Sequence, residues 1–221
     1  MSFDPVFDPR PERYEGSSAT SRLGELGLTE GLLHESLRSG DLGARLVSAS
    51  HPISAAGLRR WMDTAGALRD RLARLGWSAD DSHGVARSIS EDGATAIIAT
   101  AGGPATGRLH LPDLQFKRAK GSGTARVVLV NQLELNLDIA PRADGASDAG
   151  RPLTWFLLYR CDPGNGEIYA ELSRPERIGP DGLAVRWAER IALSPLPSSE
   201  PMIVPRDAGD DDGVEFDVEA L

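Results

Sequence analysis

Residues 154–193 constrain the fold more than any other stretch, because three strand-like runs there are separated by two turn sequences. Thr154-Trp155-Phe156-Leu157-Leu158-Tyr159-Arg160 is a continuous apolar and aromatic run, too short for a typical helix, and reads as a strand covered on both faces. Asp162-Pro163-Gly164-Asn165-Gly166 follows, where proline fixes one backbone angle and glycine and asparagine tolerate positive φ, so the chain reverses. In the return run, Ile168, Ala170 and Leu172 alternate with Glu167, Tyr169, Glu171 and Ser173, which predicts one buried face and one wet face. After Gly179-Pro180-Asp181-Gly182, the period of two continues through Leu183, Val185, Trp187, Ile191 and Leu193, with Glu189 as the exception. The expectation is a three-stranded antiparallel meander.

Helical periodicity is strongest upstream. Leu58, Trp61, Ala65, Leu68, Leu72 and Leu75 form one apolar stripe, predicting a long amphipathic helix over 52–76 that stops at Gly76. Leu32, Leu33 and Leu37, after Thr29 as N-cap, predict a short helix ended by Gly40. Residues 85–90 and 94–101 read as a hairpin around the turn Glu91-Asp92-Gly93. Residues 102–124 read as an irregular loop, and 127–139 as a strand in which Leu133, Leu135 and Leu137 alternate with polar residues, with a helix left open. The fold class expected is α+β: a mainly antiparallel sheet, made of a hairpin and the C-terminal meander, covered by one long amphipathic helix and a short one.

Three regions follow. Residues 1–20, with Phe3-Asp4-Pro5 repeated as Phe7-Asp8-Pro9, read as a disordered arm. Residues 21–197 read as a single domain and 198–221 as an acidic tail. From 207 to 219 the tail carries seven acids and no Lys or Arg, so the formal charge of −9 becomes −2 once those seven are set aside. Within it Val214, Phe216 and Val218 alternate with Glu215, Asp217 and Glu219, a pattern that suits addition to a sheet edge steered by charge. The start of the chain is neither basic nor apolar, and no apolar run approaches membrane length, so a cytoplasmic protein is expected.

The residues that could carry chemistry are few. Cys161 is the single cysteine and reads as a packing residue; His34, His51, His83 and His110 are scattered and predict no metal site. Lys117, Arg118 and Lys120 form a basic cluster before Gly121-Ser122-Gly123, and Lys117 and Lys120 are the only lysines. A nucleotide phosphate loop is excluded because glycine does not precede the lysine and Ser or Thr does not follow it directly. No cofactor is expected. Gln115-Phe116-Lys117 after Asp92, with Asp113 nearby, resembles the acid and Gln-x-Lys arrangement of restriction-type nucleases, in which carboxylates hold Mg²⁺ and lysine supports the attacking water. That pattern makes Asp92, Gln115 and Lys117 the candidate catalytic set of a nuclease alternative. Arg59 and Arg60 with the basic loop give a nucleic-acid-binding alternative.

Arg74-Leu75-Gly76-Trp77, and the meander with Ala170-Glu171-Leu172-Ser173 and Glu189-Arg190-Ile191, resemble an uncharacterised bacterial family associated with accessory, mobile-element genes. The resemblance implies a setting of phage defence, plasmid maintenance or stress regulation, and carries over no functional residue. The leading expectation is a non-enzymatic interaction or regulatory component. It would bind a protein partner through Lys117, Arg118 and Lys120 and through Val214, Phe216 and Val218.

Overall fold

The computed structural model of the protein describes residues 10–135 and 152–198. Among them, eight strands form one mixed sheet: β1 (Glu12–Tyr14), β2 (Ser78–Asp80), β3 (Arg87–Ile89), β4 (Thr95–Ala101), β5 (Leu153–Asp162), β6 (Glu167–Ile178), β7 (Ala184–Ala192) and β8 (Leu196–Pro197). Their spatial order is β1-β7-β6-β5-β4-β3-β2, and β8 pairs with β6 beside the turn that precedes that strand. Neighbours β5, β6 and β7 are antiparallel, as are β2, β3 and β4, but β4 runs parallel to β5 and β1 parallel to β7. The class is α+β. Its finer expected form is corrected: the sheet is mixed, and four helices rather than two accompany it. These are α1 (Ser17–Glu25), α2 (Glu30–Arg45), α3 (Ala55–Ala73) and α4 (Ser122–Leu135).

Apolar clusters lie on both faces of the sheet, which is why β5 is a continuous apolar run. On one face Trp155, Leu157 and Tyr159 join Leu23, Leu33, Leu37, Leu68 and Leu72 of α1 to α3. On the other, Phe156 and Leu158 join Phe116 and Leu114 of the 102–121 segment and Val127 and Val128 of α4. The second face of β6, expected to be wet, is therefore covered. Glu171 and Ser173 are fully buried there, and Glu171 pairs with Arg190 of β7.

Glu189 breaks the alternation of β7 for a local reason. Arg174 pairs with Glu189 and Pro175 with Trp187, so Ala188 is an extra residue in β7, and such a bulge reverses which face the following side chains take. Trp187 consequently packs on the second face while Ile191 packs on the first. Glu189 accepts from Arg22 Nε at 2.8 Å and Arg174 Nη2 at 2.9 Å. Both guanidinium groups sit over the Trp155 ring, 5.8 and 5.7 Å from its centroid. Two further register shifts lie between Pro175 and Ile178, and the hairpin end beyond them curls over the second face, where Gly182 O accepts from Lys120 N at 2.8 Å.

Thr29 caps α2 as expected, its Oγ1 accepting from Leu32 N at 3.2 Å. The helix does not stop at Gly40, however, and continues to Arg45 because Gly40 and Gly43 face α3 at close approach. The α3 helix lies within the expected span, and Gly76 beyond it takes φ of +84°. Residues 12–20, expected in the N-terminal arm, instead supply β1 and the start of α1. In place of a strand over 127–139, α4 occupies 122–135, burying Thr124, Val127, Val128 and Asn131 at helical spacing. Asn131 acts as a strand edge in miniature: Nδ2 donates to Thr154 O at 2.9 Å and Pro175 O at 2.8 Å, and Oδ1 accepts from Thr154 N at 2.8 Å. Among the described residues, no helix is long and apolar enough to cross a membrane.

Candidate functional site

Because β4 and β5 are parallel, both end on the same edge of the sheet. The chain leaves β4 through Gly102 and Gly103 and returns there: Gly102 N donates to Tyr159 O at 2.9 Å, Gly103 N to Gln115 O at 2.8 Å and Lys117 N to Ala101 O at 3.1 Å. Gly102 is required by packing, since a Cβ there would lie 2.1 Å from Thr106 Oγ1. The loop thus sets Lys117 at the tip of β4. From the helix layer, Trp61 Nε1 donates to Ala99 O at 3.2 Å and docks α3 against the same strand.

The charged groups of α2 and α3 meet at this edge. Asp41, buried, accepts from Arg45 Nε at 3.1 Å and Nη2 at 2.9 Å and from Arg60 Nη2 at 3.3 Å. Ser198 completes the arrangement, donating to Asp41 Oδ2 at 3.1 Å and accepting from Arg45 Nη2 at 2.8 Å. The half-buried Cys161 thiol lies within electrostatic reach of Arg60, Asp41, Lys117 and Arg45, and its pKa is raised, chiefly by burial. Two guanidinium groups therefore hold one carboxylate, and Lys117 is a further charged neighbour of the thiol. The neighbouring cations favour the thiolate, but burial outweighs them and keeps Cys161 a neutral thiol, a poor nucleophile. Alkylation of Cys161 by iodoacetamide at pH 8 should accordingly be at least about tenfold slower in the folded chain than in urea. Equal rates would contradict the burial assigned to it.

The nuclease residues do not converge. Asp92 sits in the turn before β4, where hydrogen bonds from Ser90 Oγ at 2.5 Å and Ala94 N at 3.0 Å hold its carboxyl below the usual carboxylate range. Lys117 is at the other end of that seven-residue strand, roughly 20 Å away. Gln115 serves as a strand partner for Ala184, donating from Nε2 to its carbonyl at 3.0 Å and accepting its N–H at 3.2 Å. Asp113 is exposed in the loop. Among the described residues, no group of three His, Cys, Asp or Glu side chains could hold a metal ion.

The basic cluster divides. Lys117 joins the edge, Arg118 is half-buried, and Lys120 turns to the second face, donating to Thr100 Oγ1 at 2.9 Å with its ammonium 5.3 Å from the Phe116 ring centroid. The irregular segment that carries the cluster is held by hydrogen bonds to β4, β7 and Gly182. Val214, Phe216 and Val218 lie outside the described residues, as does the Phe-Asp-Pro pair. Asp41 and Arg45 were not singled out in sequence, although their i,i+4 spacing is a readable helix pair. Their role depends on α2 continuing past Gly40.

No family model, curated protein or solved structure matches the chain.

Proposed function

We propose that the protein is a non-enzymatic interaction component that binds a protein partner through its acidic C-terminal segment, with the basic edge as that segment's resting place. The supporting observation is the convergence of Arg45, Arg60 and Lys117 near Asp41 and Cys161, at the point where Ser198 leads into the acidic sequence. The sequence that follows Ser198 carries seven acids between 207 and 219, opposite in sign to the Arg45, Arg60 and Lys117 side chains of this edge. A partner offering a basic strand edge would draw Val214, Phe216 and Val218 away by strand addition. The accessory-system setting rests on the family resemblance alone.

The alternatives have less support. Nuclease chemistry would need Asp92 and Lys117 side by side, and β4 keeps them apart. A nucleic-acid surface would need exposed arginines, whereas Arg60 is buried against Asp41 and Arg59 donates to Asp63 at 2.7 Å.

The rarity of lysine supplies a direct test. A zero-length carbodiimide joins lysine amines to carboxylates, and Lys117 and Lys120 are the only lysine side chains. Links from Lys117 to acids in 207–219 are expected at low ionic strength and should fall as salt rises. They should also fall when a partner captured from the host binds, and that capture should be lost on truncation after Arg206. Absence of the links at low salt, or capture that survives truncation, would overturn the reading.

A further inference from the structure

The outer face of the α2–α3 pair carries apolar side chains that no described residue covers. Three of the eight large apolar side chains exposed among the described residues, Leu42, Leu46 and Met62, line one groove between these helices. Such concentration on one face marks an interaction surface rather than scattered exposure. Leu42 and Leu46 stand one turn apart on α2, 61% and 72% exposed, and Met62 faces them from α3 at 44%. Between them runs an open groove of about 470 Å³ whose floor is made of Gly43, Gly66 and Ala67. At Gly66 an added Cβ would meet nothing within 4 Å, so the floor has room to receive a side chain.

The charges around the groove select its occupant. Arg59 and Arg71 supply two positive groups, and Asp63 and Asp70 two negative ones. A rim of balanced sign gives the acidic C-terminal segment, with seven acids and no base after residue 206, no electrostatic reason to settle there. The same rim is complementary to itself. Under a twofold axis Arg71 of one copy can meet Asp70 of the other, Arg59 and Asp63 being paired within each copy, and protruding leucines come opposite a floor of small residues. Knobs and holes on one helix pair are the ingredients of an antiparallel four-helix interface.

We propose that a second copy of this chain covers the groove, making the α2–α3 face a symmetric dimer interface. It is independent of the partner surface at the basic edge. Sedimentation velocity of the full chain from about 1 to 100 μM should show a dimer, and Leu46→Asp should raise its dissociation constant at least roughly a hundredfold, with an unchanged far-ultraviolet circular dichroism spectrum. Leu129→Asp, on the exposed side of α4, should leave the dimer intact. A photoreactive benzoylphenylalanine in place of Ser39, which also lines the groove, should crosslink to α2 or α3 of another copy. A wild-type monomer at the highest concentration would overturn the proposal, as would a Leu46→Asp dimer as tight as wild type. A crosslink from position 39 to residues 199–221 of the same chain would make the acidic segment the occupant and overturn it equally.

Discussion

Arg190→Met is expected to remove about 3–5 kcal/mol of folding stability, the range for breaking a buried ion pair from one side. Arg190 and Glu171 are 1% and 0% exposed. The pair is bidentate, with Arg190 Nε donating to Glu171 Oε1 at 3.0 Å and Nη2 to Oε2 at 2.8 Å. The remaining guanidinium donors reach Leu111 O at 2.9 Å and Ala105 O at 3.1 Å, while Glu171 accepts from Gly107 N and Ser173 Oγ at 2.8 and 2.6 Å. Methionine fills much of the space but supplies no charge and no donor. It leaves a buried carboxylate without its cation and removes the donor to Leu111 O, worth about 1–3 kcal/mol if unsatisfied, while Ala105 O keeps the Arg108 N–H at 3.1 Å. The double variant Glu171→Leu, Arg190→Met should recover part of the loss, because no isolated charge remains, but not all of it. Gly107 N and Leu111 O still lose their partners. Urea unfolding measures the free energies, and hydrogen exchange should quicken in 103–116 before it does in β5. A loss under about 1 kcal/mol in the single variant would mean that the network organises the loop without stabilising it.

The same network marks where sequence reasoning runs out. The period of two correctly separated Ile168, Ala170 and Leu172 from Glu171 and Ser173, and the side chains do take opposite faces of the sheet. Which face meets water is a tertiary property, set by the 102–121 segment folding across it, and a glutamate at an alternating position reads the same whether it faces solvent or a buried arginine. The irregular composition of 102–124 gave the absence of regular structure up to residue 121 but not the pinning, because the clamps come from Glu171, Arg190, Trp187 and Ala184, far along the chain. Residues 127–139 were ambiguous in kind. Alternating leucines fit a strand, while Thr124, Val127, Val128 and Asn131 fit a helix face, and contact with β5 and β6 decides for the helix. At the candidate site Lys117 was legible as a lysine in a glycine-rich setting. Arg60 was named with it only as part of a nucleic-acid surface and Arg45 not at all, since three segments distant in sequence bring them to the ends of β4 and β5.

Gly40 carries the second large expected effect, and its sign separates two roles glycine can take in a helix. As a stop residue it would accept alanine with little loss. In α2 it lies mid-helix, and a Cβ there would come 1.9 Å from Thr64 Oγ1 and 2.6 Å from Arg60 O. The hydroxyl can rotate away, but the carbonyl belongs to the backbone of α3 and can move only with the helix. Alanine is favoured over glycine in a helix interior by about 1 kcal/mol. Overpacking against a backbone atom costs about 1–3 kcal/mol, and here it also displaces the residue whose guanidinium holds Asp41. The contact with the α3 backbone decides the sign, so Gly40→Ala should be destabilising by up to roughly 2 kcal/mol net. Gly31→Ala, in the first turn of the same helix with nothing within 4 Å of the added carbon, should be neutral or stabilising by up to about 1 kcal/mol. Gly43→Ala falls between them, because the atoms it meets belong to the movable Asp63 side chain, 1.8 Å from the added carbon. Ranked urea midpoints of Gly31→Ala above wild type, then Gly43→Ala, then Gly40→Ala would establish close helix contact at position 40. A Gly40→Ala midpoint at or above wild type would return Gly40 to the role of a mere interruption and place α3 farther from α2 than the geometry here requires.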